Sequence, residues 1–307
     1  MYWAIGIIVL VLIGFILDRE VYLYEGVHLG PRVQAWLYDR WSRKYDEDKR
    51  ESQMRDDEML AQPLLEAMKD IPEPFLLDFA TGTGRLSFAL TSRPEFHGRI
   101  VALDLSQGML EQAASKLSRA DIVPEGQRRD DERSSRSRHL HDLPSKSAQV
   151  QVNADNVEFL RHLALPLPFP NASFDVVCAL EVLELFPDME KPLAEFSRVL
   201  RPGGVLLTSR GTEEAGRKAR VKSKPEYLSL LESHGFENVQ ITTWWKWFDR
   251  VMAVKGGNSA PVEKHDLQSV LKCSSCGEIR WERKHESLQC GNCRREISVT
   301  KEGIVLN

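Results

Sequence analysis

Two constellations in this 307-residue chain combine residue type and spacing in a way that can do chemistry. The first is Cys273-x-x-Cys276 followed, thirteen residues on, by Cys290-x-x-Cys293. Each pair is a knuckle offering two thiolates, and two knuckles complete a tetrahedral zinc site. With thiolate at all four corners no coordination position stays open, so the expected metal is structural; a redox or iron role is the alternative. The fifth cysteine, Cys178, stands alone in an apolar run. Such usage reads as metal binding in a reducing compartment, not as a disulfide framework.

The second constellation is LLDFATGTGRLSFAL, residues 76–90. An apolar run ends in Asp78 and passes through Ala80, Thr81, Gly82 and Gly84 into an amphipathic segment. Small residues at alternate positions let the backbone turn sharply and approach a ligand, and the amides opening the next helix favour a negatively polarised group. Asp104, twenty residues past Gly84, ends RIVALDL, where a carboxylate can accept both hydroxyl hydrogens of a ribose. Asp155 ends VQVNAD, where a carboxylate can accept from an exocyclic amine. Three acids at successive strand ends fit one nucleoside-binding crevice.

These residues need a scaffold, and the text supplies one. Strands are expected at PFLLDFA, RIVALDL, VQVNAD, FDVVCALEV and GGVLLTSR, with helices from Arg85, over Gln107 to Leu117 and around Lys191 to Leu200. VQITTWWKW and RVMAVKG follow one another without a helix and close the sheet as a hairpin. The expected fold class is α/β, a doubly wound, mainly parallel seven-stranded sheet with one antiparallel strand.

Three additions flank it. Residues 1–17 carry no charged side chain and span about 25 Å as a helix, enough to place a membrane anchor over residues 1–24. Tyr2, Trp3, Tyr22 and Tyr24 are interfacial aromatics in that reading, and Arg19, Arg32, Arg40, Arg43 and Lys44 put the bulk of the chain on the cytoplasmic side. Residues 118–149 are rich in Arg, Ser and Asp and are expected to be a disordered insertion. Residues 258–270 read as a linker to a small β zinc ribbon at 271–307. The net charge of −4, with 42% hydrophobic and 28% charged residues, argues against wholesale nucleic-acid binding through a basic surface.

DFATGTG, LDLSQGML, LPFPNASFDVV, ALEVLELF, LRPGG and GFENV together resemble the Rossmann-like methyltransferases that use S-adenosylmethionine, over about residues 36 to 257. YDRWSRKYD and the GTG loop look like the quinone and sterol branch. A nicotinamide dehydrogenase would place a third glycine where Ser87 stands. The resemblance implies a domain over 33–257 in which Asp78 and the loop Ala80, Thr81, Gly82 and Gly84 hold the amino-acid end of the cofactor. It further implies that Asp104 takes the ribose hydroxyls, Leu105 and Met109 flank the adenine, Asp155 meets its amine, Leu180 lines the floor and Tyr45 covers the methionine end. One departure is visible: ten residues, Asn156 to Leu165, separate Asp155 from PLPFP, where relatives have a shorter link. No catalytic base stands out; Glu181 and Glu184 are the candidates by position.

The tail also resembles the small zinc ribbons that activate tRNA and release-factor methyltransferases, which implies that the ribbon packs on the catalytic domain of its own chain. Three functions remain open: methylation of a lipophilic small molecule at a membrane, methylation of RNA or protein with the ribbon in recognition, and a non-catalytic scaffold.

Overall fold

A computed structural model describes residues 2–22, 25–120, 153–214, 221–263 and 265–307; several side chains of the first helix lie outside that description. The expected insertion therefore lies almost wholly outside the described residues, as do Tyr24 and the side chains of Tyr2 and Tyr22; residues 118–120 belong to a helix.

The chain begins with α1 (Tyr2–Tyr22), a short 3-10 turn (Val27–Leu29), α2 (Pro31–Asp48), α3 (Arg50–Gln53) and α4 (Gln62–Ala67). The alternation then starts: β1 (Phe75–Phe79), α5 (Arg85–Thr91), β2 (Arg99–Asp104), α6 (Gln107–Ala120), β3 (Val157–Arg161), β4 (Phe174–Ala179), α7 (Glu190–Val199) and β5 (Leu200–Gly211). After α8 (Lys224–Ser233) come β6 (Phe236–Trp245) and β7 (Phe248–Lys255), then α9 (Leu267–Val270) and the short strands β8 (Trp281–Arg283), β9 (Ser287–Cys290), β10 (Glu296–Val299) and β11 (Val305–Leu306).

Period-two alternation buries both faces of the sheet. Phe75, Leu77 and Phe79 of β1 join Val101, Leu103 and Phe196 on one side, while Leu76 joins Ile100, Val176 and Cys178 on the other. β1 pairs in parallel with β2 and β4, β4 with β5, and β7 runs antiparallel to both β5 and β6.

Four expectations need correction. Among the described residues the sheet has eleven strands, in the order β6-β7-β5-β4-β1-β2-β3-β11-β10-β9-β8. The seven expected strands form one part of it, and the C-terminal strands continue it because β11 lies parallel to β3, with Val305 opposite Leu160 and Leu306 opposite Arg161. Residues 258–270 are more than a linker: Leu267 and Val270 of α9 are buried in the core, and the Leu267 amide donates to Glu158. The third strand is Val157–Arg161, and Asn153 to Asp155 belong to the turn that precedes it. Finally, α1 is helical, but among the described residues no helix is long and apolar enough to cross a membrane.

Candidate active site and metal centre

The turn after β1 takes three residues into left-handed backbone: Ala80 at φ 54°, Gly82 at 57° and Gly84 at 74°. A glycine is needed at 84, where a Cβ would stand 3.0 Å from the Ala113 methyl of α6. Asp78 organises this turn from beneath, its Oδ2 accepting from Thr81 Oγ1 at 2.6 Å and Ser87 Oγ at 2.9 Å. Burial pushes its pKa up to about 6.

Asp104 ends β2 with one carboxylate oxygen accepting from the Gly82 amide at 2.9 Å and the other from Ser106 N at 2.8 Å. Burial raises this carboxyl to about 6 as well, against the opposing pull of those amides. At the end of β4, Leu180 and Glu181 follow, with the Glu181 amide donating to Ser209 Oγ at 2.7 Å.

The N-terminal helices close the crevice. Asp39 Oδ1 of α2 accepts from Ser106 Oγ at 2.6 Å and from Gly108 N at 2.8 Å, capping α6 from another helix. The two helices touch at Gly108, where a Cβ would meet Ser42 Oγ at 3.0 Å and Asp39 Cα at 3.1 Å. Arg85 binds Asp56 through Nε at 2.8 Å, Glu181 at 2.7 Å and the Ser52 carbonyl at 2.8 Å, and stacks 4.9 Å over Trp244. Lys49 completes the group at 2.9 Å from Glu181. Burial would raise the Glu181 carboxyl, but Lys49 and Arg85 outweigh it and hold the group below its ordinary range. Burial likewise opposes the charge on Arg85, and its carboxylate partners Asp56 and Glu181 more than restore it.

Together these elements enclose a cavity of about 360 Å³. Tyr45, Ala80, Gly82, Asp104, Leu105, Leu180 and Glu181 line it, joined by Gln34, Tyr38, Phe79, Leu103, Leu165, Val182, Leu185 and Phe186. The Tyr45 ring packs within 3.8–3.9 Å of where a Gly82 Cβ would be, and burial raises its hydroxyl pKa.

Not every expected residue arrives there. Asp78, Thr81, Gly84 and Met109 support the wall from behind, Met109 being fully buried with its amide on Ser106 Oγ. Asp155 sits at the opposite, N-terminal end of β3, around a separate pocket that Leu267 and Glu302 also line, because the strand begins only at Val157. The residues at the proper end of β3 are His162 and Leu163. Glu184 is buried beside Arg210 and Tyr227, outside the cavity. Sequence reasoning missed Asp39, Arg85 and His162; the first two stand within motifs, YDRWSRKYD and TGTGR, whose long-range partners no local pattern names.

The donor set fits a nucleoside. A buried carboxylate with one oxygen on a loop amide stands at the cavity wall, with apolar Leu105, Leu163 and Leu180 beside it for a flat base. The four cysteines fit a tetrahedral metal equally well: their Sγ atoms all lie within 4.8 Å of one another, with Cys273 to Cys293 and Cys276 to Cys290 both at 3.6 Å. None forms a disulfide. Amides of Gly277 and Arg294 donate to the Cys273 and Cys290 carbonyls, which shapes both knuckles.

Comparison with known proteins agrees with this geometry. Residues 77–208 match the family described as Methyltransferase domain. Over that segment the chain is thus similar to methyltransferase domains. A demethylmenaquinone methyltransferase of Lactococcus lactis is 29% identical over 176 residues, 57% of each chain. A ubiquinone/menaquinone biosynthesis C-methyltransferase UbiE of Francisella tularensis subsp. novicida is 29% identical over 132 residues, 43% of this chain and 40% of that one. The chain thus spans about half the length of these curated relatives. A solved structure from Methanococcus maripaludis, described as an S-adenosyl-L-methionine-dependent methyltransferase, superposes with a TM-score of 0.50 at 15% identity, covering 72% of this chain and 94% of that one. That likeness concerns the fold of the methyltransferase domain.

Proposed function

We propose that this protein transfers a methyl group from S-adenosylmethionine to a lipophilic small molecule of quinone or quinol type. The observation that carries the reading is the composition of the cavity: Leu, Val, Phe, Ala and Pro make up most of its wall, with the Asp104 carboxylate, Tyr38, Tyr45 and a few further polar side chains (Gln34, His162, Glu181, Asp188 and Lys191) set among them. Relatives named for quinone methylation support it.

The sulfonium of the cofactor supplies an activated methyl group, so the protein's part is chiefly positioning. Asp104 accepts the ribose hydroxyls in place of the Gly82 amide it holds now, and the left-handed turn from Ala80 presents backbone to the amino-acid end. Tyr38 and Tyr45 close the cavity from α2 and exclude water. Glu181, locked between Lys49 and Arg85, is a weak base; it fixes the floor and the lid to one another instead of taking a proton.

Zinc belongs to the same proposal as a structural ion on the four thiolates. Membrane association does too: Trp3, Ile7, Leu10, Val11 and Phe15 of α1 are exposed, which suits a protein whose acceptor is stored in lipid. The catalytic domain then lies on the cytoplasmic side, where the cofactor is made. The test is calorimetric titration of S-adenosylmethionine into zinc-loaded chain, followed by turnover on demethylated quinols and on RNA and protein acceptors. Binding with quinol turnover supports the proposal; turnover on RNA or protein alone replaces the acceptor, and no cofactor binding in folded protein removes the enzyme.

A further inference from the structure

The inner face of α2 serves the cavity through Gln34, Tyr38 and Tyr45, and packs on α6 through Asp39 and Ser42. The outer face is different in kind. At about 100° of rotation per residue, Arg32, Val33, Trp36, Arg40, Arg43 and Lys44 share one arc of about 120°. All six are exposed. Trp36 is 56% accessible with the Arg40 guanidinium 5.3 Å over its ring, and Leu29, just before the helix, is also exposed. Glu47 is the one acid on that arc.

We propose that this face seats on an anionic lipid bilayer. Leu29, Val33 and Trp36 enter the interfacial layer, and the four cations meet lipid phosphates, the division expected of a helix lying in the membrane plane. Two observations favour lipid over nucleic acid. Aliphatic Leu29 and Val33 offer nothing to a phosphate backbone or a base, and the exposed apolar side chains of α1 directly precede the patch in the chain. The arrangement also sets a route. Val27 and Pro31 line the cavity while Leu29 and Val33 alternate with them on the patch, so the cavity rim and the lipid-facing residues are one short segment. An apolar acceptor then enters from the bilayer without crossing water. That route rests on the methyl-transfer reading; the surface itself does not.

The test uses the full zinc-loaded chain and co-sedimentation with vesicles of phosphatidylcholine alone or with about one-third phosphatidylglycerol. Each cation near the surface contributes about fivefold to partitioning, so Arg40→Gln with Arg43→Gln lowers binding to the anionic vesicles about 25-fold. Binding to phosphatidylcholine through α1 stays unchanged, and a second pair, Arg32→Gln with Lys44→Gln, repeats the loss. Cofactor titration on the same samples separates the two ideas: a vesicle effect without cofactor binding leaves this surface standing and removes only the enzyme. Equal binding of wild type and both variants to anionic vesicles overturns the proposal. So does loss of binding to an RNA oligomer in the variants while vesicle binding is unchanged, since the face is then a nucleic-acid surface.

Discussion

The two walls of the cavity are built in opposite ways. On the β1 and β2 side the loops are held by residues of the two glycine- and acid-bearing motifs, Asp78 on Thr81 and Ser87 and Asp104 on Ser106 and Gly82, and from outside by the N-terminal helices through Asp39 and the Arg85 ion pair with Asp56. On the β3 side the support comes from the far end of the chain. β11 supplies the neighbouring strand, Asn307 N donates to the Arg161 carbonyl, and its side-chain amide lies 3.5 Å from the His162 ring, 145 residues away. Lys272 N donates to the Pro168 carbonyl on the loop that follows. The first wall draws its outside support from the N-terminal helices. The second depends on the fold of the four-cysteine unit, so damage to each should read out differently.

The largest effect is expected from Cys273→Ser with Cys290→Ser. Structural zinc carries much of the folding free energy of such small units, so the double variant should lose more than about 5 kcal/mol from the C-terminal part. Thermal melting should split into two transitions, and one unchanged transition would show that β3 needs no such support. Next is Arg85→Ala, which leaves Asp56 and Glu181 buried without their shared partner and should cost about 3–5 kcal/mol in denaturant unfolding. Asp104→Ala leaves the Gly82 and Ser106 amides without their acceptor and should cost about 1–3 kcal/mol, less than Arg85→Ala, while weakening S-adenosylmethionine binding about 100-fold, the loss of two charge-assisted hydrogen bonds. This pair of results, the larger stability loss from one residue and the affinity loss from the other, is what the first wall predicts.

A smaller effect follows from pH. Asp104 must be ionised to accept two hydroxyls, and its pKa stands at about 6. Affinity should be flat above pH 7 and fall as pH drops through 6, approaching tenfold per unit below it; calorimetry from pH 7.5 to 5 measures the slope. For stability the sign is reversed. A carboxyl whose folded pKa is raised favours folding as pH falls toward 4, so the affinity loss should appear without unfolding. Smallest is Gly108→Ala, whose added methyl presses on Ser42 and Asp39 and should cost about 1 kcal/mol, seen as a drop in Tm and a modest rise in cofactor Kd.

Legibility in the sequence follows the same division. Strands β1, β2, β4 and β5 announce themselves as apolar runs ending in an acid or a small residue, and the sites attached to them, Ala80, Gly82, Asp104, Leu105 and Leu180, reach the cavity. β3 misleads because VQVNAD and VEFLR are both short runs with strand-like alternation, and only pairing decides between them. Ile100 lies opposite Val157, which places Arg161 and not Asp155 beside Asp104. Glu181 was visible as an acid near the site, but its two cations come from α2–α3 and α5, and no local pattern carries that information. The zinc spacing was plain, whereas the union of its strands with the main sheet was not, since a two-residue strand such as Val305–Leu306 has no period to read.

On the proposal that the four cysteines hold zinc, that union bears on what happens to the chain when the metal is scarce. Without β11, strand β3 becomes an open edge with a row of unpaired amides and carbonyls, and its neighbours are apolar on both faces. Such an edge is a template for another copy. Metal starvation should therefore show first as aggregation in cells, with soluble protein a minor product.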